Sequence, residues 1–267
     1  MTVLVTGATG NVGRHVVDLL LGAGESVRAV TRRPDSAGLP DGVDVRGGDL
    51  SDAAGLADAF TGVDRLYLFA DGDTAGLLDQ AKRAGVRRVV TLSSVSVLYP
   101  DNAIGDHHRV VEEAVEASGL PWTHIRPGMF ATNLLGWWAP TIRAEGVVRE
   151  PYAAATMEPI HPRDIAQLAV DALLSAEHEG TARALTGERA YTKSAAVRVI
   201  AEATGRDLRF EEISEQEYRD RVAGTLPAPF VEAILATWRA GAGRVPGVPR
   251  STRTFTQWVT ENVQAFR

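Results

Sequence analysis

Residues 1–17 read MTVLVTGATGNVGRHVV. An apolar run at 2–6 meets three glycines, Gly7, Gly10 and Gly13, and a helical pattern follows at Val12, Val16, Leu19 and Leu20. A strand, a glycine turn and a helix in that order suit a bound diphosphate. Gly7 permits the sharp turn, Gly10 lets main chain approach phosphate without a Cβ in the way, and Gly13 lets the helix pack close to the strand. The helix start adds unpaired N–H groups and the positive end of its dipole. The loop TGATGNVG thus offers Gly7, Thr9, Gly10, Asn11, Val12 and Gly13 to a dinucleotide.

Downstream the chain alternates. Further strands are expected at 26–31, 43–46, 65–70, 88–93 and 122–126, with helices at 52–60, 75–84 and 106–117 between the later ones. Joins of this length between parallel strands need a helical crossover. The fold class is α/β: a Rossmann-type doubly wound parallel sheet. Beyond Pro127 the pattern changes. Helices are expected at 164–174, with Asp164 as its cap, and at 194–204, 215–222 and 230–240, before a closing amphipathic helix in TFTQWVTENVQAFR. We therefore expect a dinucleotide-binding core over 1–127, with 158–176 returning to it. Residues 128–157 and 177–267 would form a small, mainly helical C-terminal substrate lobe.

The second strand bears on the choice of dinucleotide. NAD binders place an acid at its tip, on the ribose hydroxyls. Here it ends Thr31-Arg32-Arg33, and a guanidinium suits a 2′-phosphate through charge and a forked donor set. The expected cofactor is NADP(H), held at that end by Arg32 and Arg33. Asp35 lies past the tip, after a proline.

Bulk composition narrows the rest. With 267 residues, 45% hydrophobic and 23% charged, the chain has the make-up of an ordinary globular protein. A net charge of −6 argues against nucleic acid or an anionic membrane as partner. Cysteine is absent, which excludes disulfides, thiolate metal sites and a Cys nucleophile. No stretch approaches the roughly 18 apolar residues of a membrane span, and no leader pattern precedes the first strand, so a cytoplasmic location is expected. No His, Asp and Glu grouping has metal-ligand spacing, so no metal is expected. Of the 28 basic residues only Lys82 and Lys193 are lysines.

The loop TGATGNVG, spaced GxxGxxG, resembles the extended and atypical branches of the short-chain dehydrogenase/reductase superfamily. A longer stretch resembles the NmrA-like NAD(P)H-binding proteins, whose pattern runs K-x-x-x-E, S-G-L and T-x-x-R-P-G. Glu112, Ser118-Gly119-Leu120, Thr123 and Arg126-Pro127-Gly128 match it. The C-terminal half is similar to the same group, so the resemblance covers essentially the whole chain. It implies that Asp49 and Leu50 meet the adenine and that Phe69 and Ala70 border the cofactor path. It also implies Ser93 and Ser94 at the reacting end.

The resemblance further implies a Tyr-x-x-x-Lys pair on the helix after Ser93. Counting back from Glu112 puts His108 at the lysine position and Ile104 at the tyrosine position; a slip of one residue gives Arg109 and Gly105. Neither register supplies a tyrosine or a lysine. Three readings follow. NADPH reduces an acceptor needing little acid help, such as a quinone. Another residue is the acid, with His108 foremost and His107, Tyr99 or a residue of the substrate lobe as alternatives. Or the chain binds NADP(H) without turnover and senses redox state through a protein partner. The first reading fits the residues after the sixth strand: Met129, Phe130, Asn133, Trp137 and Trp138 suggest a small apolar or aromatic substrate. A monomer or homodimer is expected.

Overall fold

A computed structural model describes residues 1–69, 71–241 and 247–267. Along the chain, β1 (Thr2–Val5), α1 (Gly13–Gly22), β2 (Ser26–Thr31), β3 (Asp44–Gly47), α2 (Ala57–Phe60), β4 (Arg65–Phe69), α3 (Thr74–Arg83) and β5 (Arg88–Leu92) come first. Then follow α4 (Ala103–Ala117), β6 (Trp122–Pro127), α5 (Asn133–Trp137), α6 (Ala139–Glu145), β7 (Val147–Glu150), β8 (Thr156–Met157) and α7 (Pro162–Leu174). The chain continues with β9 (Thr181–Leu185), β10 (Tyr191–Thr192), α8 (Lys193–Thr204), β11 (Arg209–Glu212), α9 (Glu215–Val222), α10 (Ala228–Arg239) and α11 (Phe255–Glu261).

These elements divide between two compact units. The first is Met1–Leu98, Gly105–Pro127 and Pro162–Ala184; the second is Tyr99–Ile104, Gly128–His161 and Leu185–Arg267. Residues 177–184, expected in the second lobe, fall in the first unit. They lead into and form β9, whose TARAL sequence alternates but with small alanines rather than the β-branched or aromatic residues that announce a strand.

The first unit is a seven-stranded sheet in the order β3-β2-β1-β4-β5-β6-β9. The pairs from β3 to β6 run parallel, with Val3 opposite Val27 and Arg65, and Val90 opposite Tyr67 and Thr123. Strand order reverses at β1, the arrangement of a doubly wound sheet. Helices cover both faces, so the central strands are apolar on both sides: Val3, Leu4 and Val5 are fully buried. On one face Leu4, Leu66, Leu68 and Val89 pack with Leu56, Phe60, Leu77, Leu78, Val111 and Val115. In α1 the buried residues Val16, Val17 and Leu20 form one stripe, and this helix lies beside α7.

Three helix boundaries depart from expectation. The helix foreseen at 52–60 is a 3-10 turn at Ala54–Leu56 followed by the single turn of α2. Asp52 accepts from the Gly55 amide, a local bond that competes with a regular helical start. Next, α4 begins at Ala103 rather than Asp106, with the Asn102 side chain accepting from the Ile104 amide. Lastly, α7 begins at Pro162, where a missing N–H costs nothing, so Asp164 lies inside the first turn rather than at the cap.

The second unit holds two cores. Leu134, Trp138, Ile142, Val148, Ile200, Phe255, Trp258 and Phe266 belong to one; Tyr218, Val231, Leu235 and Trp238 belong to the other. Its helices α9 and α11 start with capping boxes, Ser214 with Glu217 and Thr254 with Gln257.

Candidate active site

The glycine turn has the geometry its sequence demands. Gly7 has φ +62°, and the Gly10 amide donates to the Gly7 carbonyl at 2.9 Å. A Cβ on Gly13 would lie 2.1 Å from that same carbonyl oxygen. Val12 and Gly13 are buried beneath the turn, whereas Thr9, Gly10 and Asn11 are exposed along it. No side chain caps α1, while Asp73 caps α3 and Thr192 caps α8. The Arg14 and His15 amides donate to the Gly10 and Val12 carbonyls, so the amides ahead of them, at Asn11, Val12 and Gly13, are the ones an anion would meet. Arg14, in the first turn, donates to the Thr9 carbonyl and holds a positive charge beside the loop.

A cleft of about 290 Å³ opens from this turn across the carboxyl ends of β1 to β4. Gly7, Thr9, Thr31, Arg32, Arg33, Asp49, Leu50 and Phe69 line it, all of them anticipated from the sequence or part of the anticipated strand tip. Asp35 does not. Ala70 lies outside the described residues. Sequence reasoning missed Ser36, Ala37, Ser51, Asp71 and Gly72, which also line the cleft. Pro34-Asp35-Ser36 forms a 3-10 turn, and Pro-Asp-Ser was the available signal for it. Gly72, at φ +87°, packs so closely on Leu50 that a Cβ would lie 2.6 Å from its carbonyl. The Asp49 carboxyl is held below its ordinary range, chiefly by the Ser51 amide and in smaller part by the charge of Arg32.

The residues therefore fit a nucleotide: a bare helix start, a turn whose Gly10 carries no Cβ, and two exposed guanidinium groups at the far end of one cleft.

At the end of β5 the serines divide. Ser93 is buried and donates to Glu112 at 2.5 Å. Ser94 is half-buried; its oxygen accepts from the Ser96 amide at 3.1 Å, which leaves its own proton available to a ligand. Glu112 is in turn gripped by Arg126, Nε to Oε1 at 2.9 Å and a terminal nitrogen to Oε2 at 2.5 Å. Burial pushes the Glu112 carboxyl up, but its bonds to Arg126 and Ser93 outweigh that and the net displacement is downward.

His108 is half-buried on α4, while its neighbour His107 is exposed and meets it edge-on at 5.5 Å. Burial, with the repulsion of His107, brings the His108 imidazole down to about 4. It is neutral at pH 7. Sequence reasoning put an acid here; burial and the neighbouring His107 shift this imidazole toward its neutral form. Ile104 precedes it by one turn, and no tyrosine or lysine stands in either register on α4. Tyr99 is exposed. His161, in the second unit, is buried against Glu261 at 3.0 Å.

Of the residues after β6, Met129, Phe130, Asn133 and Trp137 are half-buried. Trp138 is not available to a ligand, contrary to expectation. It is 1% exposed, and its indole N–H donates to the buried Glu150 at 2.7 Å. Adjacent helical residues diverge by about 100°, so one of two neighbouring tryptophans enters the core.

One grouping with metal-ligand atoms does occur, against the expectation of none. Glu112, Glu116 and His124 bring such atoms within 4.8 Å of one another. Both oxygens of Glu112 already serve Arg126, so a guanidinium supplies the positive charge there.

A family described as NAD(P)H-binding matches residues 7–176. The chain belongs to this NAD(P)H-binding family. It is 39% identical to a (4-alkanoyl-5-oxo-2,5-dihydrofuran-3-yl)methyl phosphate reductase of Streptomyces griseus subsp. griseus, over 99% of each chain. It is 30% identical to an NAD(P)H azoreductase of Xenophilus azovorans, again over 99% of each. In fold it matches an NADPH-dependent quinone oxidoreductase from Escherichia coli with a TM-score of 0.82, at 24% identity, over 98% of this chain and 99% of that one. Full-length similarity to named reductases makes this member of the family an NAD(P)H-dependent oxidoreductase. Among the described residues no helix is long and apolar enough to cross a membrane.

Proposed function

We propose that the chain is an NADPH-preferring reductase that passes hydride to an electron-poor, conjugated small molecule of the quinone or unsaturated-ketone type. The observation that carries this reading is on α4: Ile104 and a neutral His108 stand where a Tyr-x-x-x-Lys relay would be required for a simple ketone. When a conjugated acceptor takes hydride, the electron pair spreads over the π system to its oxygen. No strong acid need be in place at that moment. The relatives support the same class of acceptor. One is named for an alkanoyl-substituted oxo-dihydrofuran, the other for an azo compound.

Bound NADPH would supply the hydride from C4 of its nicotinamide. Main-chain amides at Asn11, Val12 and Gly13 hold the diphosphate, and Arg32 and Arg33 hold the 2′-phosphate and set the preference over NADH. His108 donates one N–H to the reduced acceptor's oxygen as a neutral imidazole, which polarises without carrying charge. Ser94 offers a second donor, and solvent delivers the proton that completes the reduction. Met129, Phe130, Asn133 and Trp137 offer apolar and aromatic surface to the substrate. A cytoplasmic monomer or homodimer completes this reading.

The test is NADPH titration together with NADPH oxidation followed at 340 nm against a panel of quinones, unsaturated ketones and saturated ketones. Turnover of the conjugated compounds with little on the saturated ketones supports the proposal. Tight NADPH binding without turnover on any acceptor replaces it with a redox sensor.

A further inference from the structure

The serine that ends β5 has its proton already committed. Glu112 is ionised, because two hydrogen bonds from Arg126 outweigh the cost of burying it. An ionised carboxylate only accepts. Of the Ser93–Glu112 pair, separated by 2.5 Å, Ser93 must therefore be the donor. Both residues are 3% exposed, so water does not compete for that bond. The Ser93 amide is also fixed, donating to the Ile125 carbonyl at 2.7 Å. What Ser93 has left to present is lone pairs.

Its position says to what. Thr31 ends β2, Asp49 follows β3, Gly7 follows β1, Phe69 ends β4, and Ser93 follows β5. In the sheet these strands lie in the order β3-β2-β1-β4-β5. A dinucleotide with its adenine half at β2 and β3 and its diphosphate at β1 reaches β5 with its other half, since two strand spacings are about 10 Å. That half carries N–H donors on its carboxamide and O–H donors on its ribose.

We infer that Ser93 is a hydrogen-bond acceptor for the nicotinamide half of the cofactor rather than a proton donor to substrate, and that Glu112, clamped by Arg126, is the positioning residue that fixes this polarity. The inference rests on the proposed NADPH-dependent reduction. It makes Arg126, two strand residues beyond His124 and remote in sequence from the glycine turn, part of cofactor recognition through two intermediates. It also removes Ser93 from the proton step, which falls to Ser94, His108 and solvent.

The experiment compares wild type, Ser93→Ala, Glu112→Gln and the double variant. NADPH affinity is measured by titration, and kcat and its solvent deuterium isotope effect are measured with 1,4-naphthoquinone. Ser93→Ala should weaken NADPH about 5- to 10-fold, the size of one lost hydrogen bond, with a smaller loss of kcat and the isotope effect retained. Glu112→Gln should weaken NADPH likewise, and the double variant should be no weaker than the worse single one, because Glu112 acts through Ser93. The 3-acetylpyridine analogue of NADPH, which lacks the carboxamide N–H, separates the two donors. If the carboxamide is the partner, Ser93→Ala binds the analogue as wild type does; if the ribose is, the loss is the same for both cofactors. Either result supports an acceptor role. Ser93→Ala removes one oxygen and leaves the Glu112–Arg126 pair in place, so it decides the matter even where Glu112→Gln does not fold. The inference is overturned if Ser93→Ala leaves NADPH affinity intact while kcat collapses and the isotope effect disappears, or if the two substitutions add. Failure of wild type to bind NADPH overturns the proposed function and this inference with it.

Discussion

The ammonium of Lys193 lies 3.0 Å from the carboxylate of Glu150. Both are buried; Lys193 also donates to the Pro151 carbonyl at 2.7 Å and sits 3.2 Å above the Trp238 ring. Burial pushes Glu150 up and Lys193 down, so each opposes its own charge and needs the other. In a chain that otherwise uses arginine almost throughout, a compact ammonium is what fits between one carboxylate and one indole face. Lys193→Ala should lower unfolding stability by about 3–5 kcal/mol, because it strands a buried carboxylate. Adding Glu150→Gln should recover part of that loss. Urea denaturation of the two variants checks this; equal stability of Lys193→Ala and wild type would contradict it.

The glycine turn separates folding from binding. Gly13→Ala drives a Cβ to 2.1 Å from the Gly7 carbonyl oxygen, a backbone clash no rotamer relieves. We expect a loss of about 1–3 kcal/mol in stability together with weaker NADPH binding. Gly10→Ala places its Cβ 3.1 Å from the Gly7 carbonyl oxygen, a tight contact that a shift of a few tenths of an ångström relieves at this exposed position, so it should cost less stability than Gly13→Ala while NADPH affinity falls at least about tenfold. Thermal melts and NADPH titrations on the pair give four numbers. The pattern fails if both variants lose stability equally.

The proposed preference for NADPH rests on exposed charge. Arg32→Ala should weaken NADPH by about 1–3 kcal/mol, as expected for a lost charge-assisted bond, and leave NADH nearly untouched. Competitive titration with both reduced cofactors measures the difference. Equal losses would remove Arg32 from recognition of the 2′-phosphate.

Acid should act through His108. Its folded value of about 4 lies below the ordinary 6.5, so between those values the unfolded chain binds the extra proton and the folded one does not. The stability contribution is complete above 6.5 and is lost as pH falls toward 4. Burial also lowers His124, which faces Glu112 and Glu116, and it adds in the same direction. His108→Gln should flatten this acid limb in urea midpoints taken across that range. Turnover of wild type should also be flat from about pH 6 to 8 with respect to this group, since a neutral imidazole has nothing to lose there.

Much of the fold could be read from the chain because its signals are local. The strand, the three glycines and the start of α1 fall within one stretch of sequence, and each residue's reason is steric or periodic. The alternation through β6 is equally local, and so is the arginine pair at the tip of β2. The reading weakened where a residue's state depends on what packs over it. Strand β9 has few strand-forming side chains of its own and pairs at the edge that β6 offers it. Trp137 and Trp138 are alike in sequence, yet one is half-exposed and the other enters a core onto Glu150. The protonation of His108 is shifted downward by burial and by the neighbouring His107, which its sequence position does not show.

Ser93 makes the contrast sharpest. Its place after β5 was evident from the order of residues. Its polarity was not, because Glu112 and Arg126 stand 19 and 33 positions away along the chain and meet it only across α4, β5 and β6. Local spacing sets which backbone is laid down, since sterics and periodicity act between near neighbours. Protonation, burial and the direction of a hydroxyl follow from fields and contacts between elements distant along the chain, and those exist once the chain has folded.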